Sequence, residues 1–179
     1  MEPKELLTKR KIEKLATEYG FRSDMIEDEQ LDNKKFEVFV SHSSRDVEFI
    51  RKVVFFLKKD KGVNGVYVDW QDPSMRHETN AQTAENLKER IKNVRKVIYV
   101  VTSESLKSVW CSWEIGYADC SKGVDDVAIL AIKPNNGRWK NQEYLQQYPW
   151  ISYDLEERHF MVTRLDGNRS TLYDWLRKN

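Results

Sequence analysis

Five short runs of β-branched and aromatic residues punctuate the chain, and the stretches between them carry helical patterning. The runs are Phe36-Glu37-Val38-Phe39-Val40, Val66-Tyr67-Val68-Asp69-Trp70, Val97-Ile98-Tyr99-Val100-Val101, Asp126-Val127-Ala128-Ile129-Leu130-Ala131-Ile132 and Phe160-Met161-Val162-Thr163. Between them, apolar residues recur at helical spacing over residues 45–60, 81–93 and 107–120, and a closing helix is expected from Ser170 to Lys178. Strands that alternate with helices predict a parallel sheet covered on both faces, because each crossover must return over one face of the sheet. The expectation is an α/β, flavodoxin-like three-layer fold with a five-stranded parallel sheet. Residues 35–179 form this domain. Residues 1–34 form an N-terminal helical extension, with a helix between about residues 4 and 18, Gly20 as its stop signal and the acidic Glu27-Asp28-Glu29 as a linker.

Right-handed crossovers place every post-strand loop on one edge of such a sheet, which is where doubly wound folds bind ligands. Three segments therefore converge: the turn Ser41-His42-Ser43-Ser44-Arg45-Asp46, the polar loop from Trp70 to Asn80, and the segment from Thr102 to Trp110. Just beyond the last of these, Glu114 sits among Trp110, Trp113, Ile115 and Tyr117. A carboxylate in an aromatic, apolar setting is a candidate for tuned chemistry, because desolvation disfavours its charge. Trp110 and Glu114 are one helical turn apart and share a face. On the residues alone, Glu114 is equally well read as a half-buried acid satisfied by backbone donors, with the tryptophans as core.

Hydroxyls and free N–H groups at a helix start suit an anion, so Ser41, Ser43 and Ser44 with Arg45 form a candidate diphosphate cradle. The signal is weak by itself, because serines at helix starts are more often ordinary caps. No glycine-rich phosphate loop follows the first strand, which disfavours dehydrogenase and triphosphatase readings. Ser41, His42 and Asp46 lie too close in sequence for a hydrolase triad, and no nucleophile elbow is present. A phosphoacceptor receiver domain would need paired acids where the chain has Val40-Ser41-His42. His42, His77 and His159 are scattered, Cys111 and Cys120 cannot form a zinc site alone, and no metal is expected. A formal net charge of +1, with basic residues interspersed among acids, argues against nucleic acid and anionic membranes as partners. No run approaches a membrane span and no secretory leader is legible, so the expected location is cytoplasmic.

The order of these parts resembles a Toll/interleukin-1 receptor (TIR) domain over roughly residues 35–178. The likeness is carried by Phe36 to Asp46, by Val66 to Trp70 with its following loop, and by Ser108-Val109-Trp110-Cys111-Ser112-Trp113-Glu114. The run Trp113-Glu114-Ile115-Gly116-Tyr117 is similar to stand-alone prokaryotic TIR proteins, including those of Thoeris-type antiphage systems. The loop after Trp70 is longer and more polar than in animal adaptor TIRs, and no death, coiled-coil or sterile-alpha-motif module is attached. The resemblance implies cleavage of NAD+ at the nicotinamide–ribose bond without a metal. Glu114 matches the helix glutamate, with Ser41, His42, Ser43, Ser44, Arg45, Asp69, Trp70 and Trp110 around the dinucleotide. It further implies homo-oligomer formation on activation and a downstream effector that reads an ADP-ribose-derived product. A non-enzymatic TIR scaffold and a nucleoside deoxyribosyltransferase-like enzyme are the competing readings.

Overall fold

The computed structural model describes residues 6–26, 36–59, 63, 65–71, 81–137 and 142–178. The strands are β1 (Leu7–Thr8), β2 (Val38–Ser41), β3 (Val66–Tyr67), β4 (Lys96–Val101), β5 (Val127–Lys133), β6 (Trp150–Asp154), β7 (His159–Thr163) and β8 (Arg169–Thr171). The helices are α1 (Lys9–Glu18), α2 (Val47–Lys59), α3 (Ala81–Asn93), α4 (Val109–Lys122) and α5 (Leu172–Arg177). The main sheet runs β3-β2-β4-β5-β6-β7-β8, and β1 pairs with the end of β5. The first five strands of that order are mutually parallel. Counted from β2, their order is 2-1-3-4-5, the flavodoxin-like arrangement, with its switch point between β2 and β4.

The central strands are apolar on both faces, yet their side chains still sort by the period of two. Val38, Val40, Ile98, Val100, Ala128 and Leu130 pack with α1, α2 and α5. Phe39, Val97, Tyr99, Val101, Val127 and Ile129 pack with α3 and α4. α2 is buried through Phe49, Ile50, Val53, Val54, Phe55, Phe56 and Leu57. Burial at about 25 cal/mol per Å² of apolar surface makes such a double-sided core the main source of stability.

Two expectations need correction. The fifth parallel strand is Trp150–Asp154, a stretch that reads as irregular because tyrosines, glutamines and Pro149 crowd it. The expected fifth strand, Phe160 to Thr163, runs antiparallel to β6 and buries only alternate residues, as a sheet with one covered face does. It continues through a hairpin into β8, so Ser170 is a strand residue and the closing helix starts at Leu172. Gly167 closes that hairpin with φ +85, a conformation that costs glycine nothing. Secondly, the N-terminal helix begins only at Lys9. Leu7 and Thr8 are extended against Ile132 and Lys133, and the Thr8 side chain caps the helix by accepting from Lys11 N at 3.1 Å. Gly20 follows the helix with φ +70, as a stop residue should. The Glu27–Glu29 linker, Gly62 and the loop from Asp72 to Asn80 lie outside the described residues.

Candidate functional site

The C-terminal ends of β2 and β4 flank the switch point, and their last residues build the site. Ser41 ends β2 on the face toward α4. Its hydroxyl donates to Glu114 Oε2 at 2.5 Å. α4 is started by Ser108, whose hydroxyl accepts from Cys111 N at 3.3 Å, and this sets Glu114 a turn further on, over the strand end. Glu114 is 5% exposed. Burial pushes its carboxyl up to about 8; the Ser41 hydroxyl opposes that rise and the nearby Asp69 charge adds to it. No cation is recorded against Glu114 among the described residues.

The next residue, His42, turns to the other side of the strand end. Its Nδ1 lies 3.1 Å from the Val40 carbonyl and must carry the proton there. Its Nε2 faces Asp69 Oδ1 at 3.3 Å without hydrogen-bond alignment. The imidazole also meets the Trp70 ring edge-to-face, with centroids 4.7 Å apart. Asp69 and Trp70 are carried by a 3-10 turn directly after β3, not by the strand itself. The Trp70 indole N–H is buried with no partner among the described residues.

The turn after β2 holds a second buried acid. Asp46 is 4% exposed. One of its oxygens is ion-paired with Lys9 at the start of α1. The other accepts from Thr102 Oγ1, at the end of β4, at 2.5 Å. Thr102 Oγ1 in turn accepts from Ser105 N at 3.0 Å. This network joins the N-terminal segment to the site edge. Sequence reading missed it, because nothing local to Lys9 or Thr102 signals a partner many residues away.

The other expected residues divide. Ser43 accepts from Arg45 N at 3.3 Å and acts as a cap. Ser44 is exposed at the surface. The Arg45 side chain is turned outward, 75% exposed, and its Nη1 pairs with Glu104 at 3.1 Å. Trp110 is half-buried, packed on the α3–α4 core and edge-on to Trp113 at 5.6 Å. Ser41, Glu114, His42, Asp69 and Trp70 are thus brought together, whereas Ser44 and Arg45 are not drawn in. Cys111 is buried nearby, and burial, aided by the Glu114 charge, pushes its thiol up to about 12, so it is a poor nucleophile. Among the described residues no cluster of three or more His, Cys, Asp or Glu is placed to hold a metal ion. No described helix is long and apolar enough to cross a membrane.

The fold and site define a doubly wound α/β protein with a desolvated acid at its switch point. Residues 38–164 match the TIR domain model, and the chain belongs to the TIR-domain family. It is 33% identical over 125 residues to the probable 3' cyclic ADP-D-ribose synthase ThsB' of Bacillus cereus (strain MSX-D12), covering 67% of this chain and 62% of that protein. It is also 33% identical over 97 residues to the putative cyclic ADP-D-ribose synthase TIR2 of Cytobacillus dafuensis, covering 52% of this chain and 25% of that one. The chain therefore spans less than two thirds of either relative. Among solved structures it is similar to the TIR domain of the Toll-related receptor TRR-2 from Hydra magnipapillata. That match has a TM-score of 0.46 and 20% identity, covering 62% of this chain and 78% of that one.

Proposed function

We propose that the protein cleaves NAD+ at the nicotinamide–ribose bond, with Glu114 as the catalytic residue. The observation that carries this reading is a buried carboxyl that accepts from one serine hydroxyl, beside a second acid and with no cation against it among the described residues. The names of its curated relatives agree with the reading. Among the described residues such a site has no positive charge set against the acid, and the nicotinamide ring of NAD+ is one. Binding of the pyridinium favours the carboxylate form, so the proton leaves Glu114 as substrate enters.

In the reaction the bond between ribose C1′ and the nicotinamide nitrogen breaks. The electron pair leaves with nicotinamide and neutralises its ring, so no general acid is needed at the leaving group. Positive charge moves to the ribose as an oxocarbenium-like transition state, which an adjacent carboxylate stabilises. Attack at C1′ by water gives ADP-ribose, and attack by a hydroxyl or amine of the same molecule gives a cyclic product. The attacking group loses one proton, which Glu114 or solvent accepts. Asp69, Trp70 and His42 border the ribose, Trp110 stacks on a base, and the turn from Ser43 to Arg45 takes the diphosphate once Arg45 leaves Glu104. In this reading the protein works in the cytoplasm, in antiphage defence. It assembles with copies of itself on activation, and an effector reads its nucleotide product.

The test is release of nicotinamide from NAD+ by the purified protein, alone and under crowding that promotes assembly. Glu114→Gln should lower the rate by at least about a hundredfold, the lower range for loss of an essential acid–base group. The melting temperature should be kept. The wild-type kcat/KM should rise with pH to a plateau above a midpoint near 8, because the free enzyme must lose the Glu114 proton. Undiminished release by Glu114→Gln overturns the assignment. No release in any assembled state supports a scaffold instead.

A further inference from the structure

On the opposite face of the sheet from Glu114, a cavity of about 330 Å³ is lined by Tyr19, Phe56, Lys59, Tyr153, Arg158 and Phe160. None of these residues belongs to the site described above. The four rings form a continuous series: Tyr19 edge-on to Phe56 at 5.7 Å, Phe56 tilted to Tyr153 at 6.2 Å, and Tyr153 edge-on to Phe160 at 5.1 Å. The volume lies at the lower end of the roughly 300–1,000 Å³ common for small-molecule sites. The rings supply the apolar faces on which a flat group stacks.

Two cations complete the lining, and no carboxylate shares it among the described residues. The Lys59 ammonium lies over the Tyr19 ring at 5.0 Å and over Phe55 at 5.2 Å. Arg158 comes from the turn between β6 and β7, with φ +57, the left-handed conformation. That turn is built by Asp154, whose Oδ1 accepts from Glu156 N at 3.0 Å and from Glu157 N at 3.1 Å. A left-handed position at the end of such a turn favours glycine or asparagine, which occupy it without steric penalty. The chain places an arginine there and so keeps a guanidinium in the lining at a conformational cost. Among the described residues, no carboxylate is recorded in a salt bridge with Lys59 or Arg158. Rings that accept a planar group, together with two cations that no described carboxylate pairs with, form the complement of an aromatic ring bearing a phosphate.

We propose that this cavity is a second ligand site, taking a mononucleotide with its base among the four rings and its phosphate between Lys59 and Arg158. The inference does not depend on the chemistry assigned to Glu114.

The experiment is an amide ¹H–¹⁵N NMR titration of the full chain with AMP, alongside adenosine and inorganic phosphate. AMP should shift the amides of Tyr19, Arg158 and Phe160 in wild type and in Glu114→Gln alike. Adenosine and phosphate should each bind at least about tenfold more weakly, because each supplies only half of the contacts. Lys59→Gln and Arg158→Gly should each weaken AMP by about tenfold, in the range of one lost charge-assisted contact. Arg158→Gly should also keep or raise the melting temperature, because glycine fits the left-handed turn; a purely structural role for Arg158 predicts no change in AMP affinity. The proposal is overturned if AMP shifts only residues around Ser41 and Glu114. It is equally overturned if adenosine matches AMP, or if neither variant changes its affinity.

Discussion

Two acids are buried at the same edge of this sheet, within one strand end of each other, and their surroundings are opposite. Asp46 has a lysine on one oxygen and a threonine hydroxyl on the other. Glu114 accepts from one serine hydroxyl, and the charge of another acid, Asp69, acts on it. The two are almost equally hidden from solvent, at 4% and 5% exposure. Burial therefore does not distinguish the two acids; the partner set does. Asp46 is completed by the protein and holds three segments together, namely the start of α1, the turn after β2 and the end of β4. Glu114 has no counter-charge among the described residues, and the proposed reaction uses that gap for a cationic substrate.

The comparison is broken most forcefully by removing Asp46. Asp46→Ala deletes a buried ion pair and leaves the Thr102 hydroxyl without its acceptor. Loss of one member of such a pair costs about 3–5 kcal/mol, and the lower end applies here because Lys9 can return to water. Chemical denaturation should show a loss of about 3 kcal/mol, whereas Glu114→Gln should show little loss or a gain. If the two variants destabilise equally, the contrast fails.

A second break uses pH. Glu114 has a folded-state pKa near 8, raised above its ordinary value near 4.5. Between those two values the folded protein holds a proton that the unfolded chain has lost. The stability contributed by this group is therefore full below about 4.5 and is lost as pH rises through 8. Melting curves from pH 5 to pH 9 should fall more steeply for wild type than for Glu114→Gln. Parallel curves would mean that Glu114 titrates like a surface acid.

A smaller perturbation sharpens the same point. Ser41 donates to Glu114 and opposes the rise, so Ser41→Ala should move the midpoint of the pH–rate profile for nicotinamide release upward. The rate on the high-pH plateau should change by less than about tenfold, the scale of one hydrogen bond. A downward move would show that the hydroxyl favours the protonated acid instead.

The β-branched and aromatic runs and the helical intervals made the central strands and helices legible, and right-handed crossovers then placed the Ser41 turn, the loop after Trp70 and the segment leading to Glu114 on one edge. Among the peripheral strands, β7 was legible and β1, β6 and β8 were not, for a physical reason. Trp150 to Asp154 is a half-covered strand whose apolar signal is diluted by its polar, aromatic approach. Leu7 and Thr8 merge with the apolar stripe of the helix that Thr8 itself starts. At the site, Ser41, His42, Asp69, Trp70 and Glu114 come together as the expected edge implies, whereas Arg45 does not. Arg45 follows the expected turn, but Glu104, which lies 59 residues further along the chain, draws it outward. Lys9 and Thr102 carried no local signal, because their role exists only once α1, β2 and β4 are assembled.

Glu114 is a buried acid with no counter-charge among the described residues. Its side-chain carboxyl carbon can be titrated directly by ¹³C NMR in the resting protein, with the resonance assigned by its loss in Glu114→Gln. The prediction is a midpoint near 8, moving down when NAD+ is bound. A midpoint near the ordinary carboxylate value, unchanged by NAD+, would contradict it.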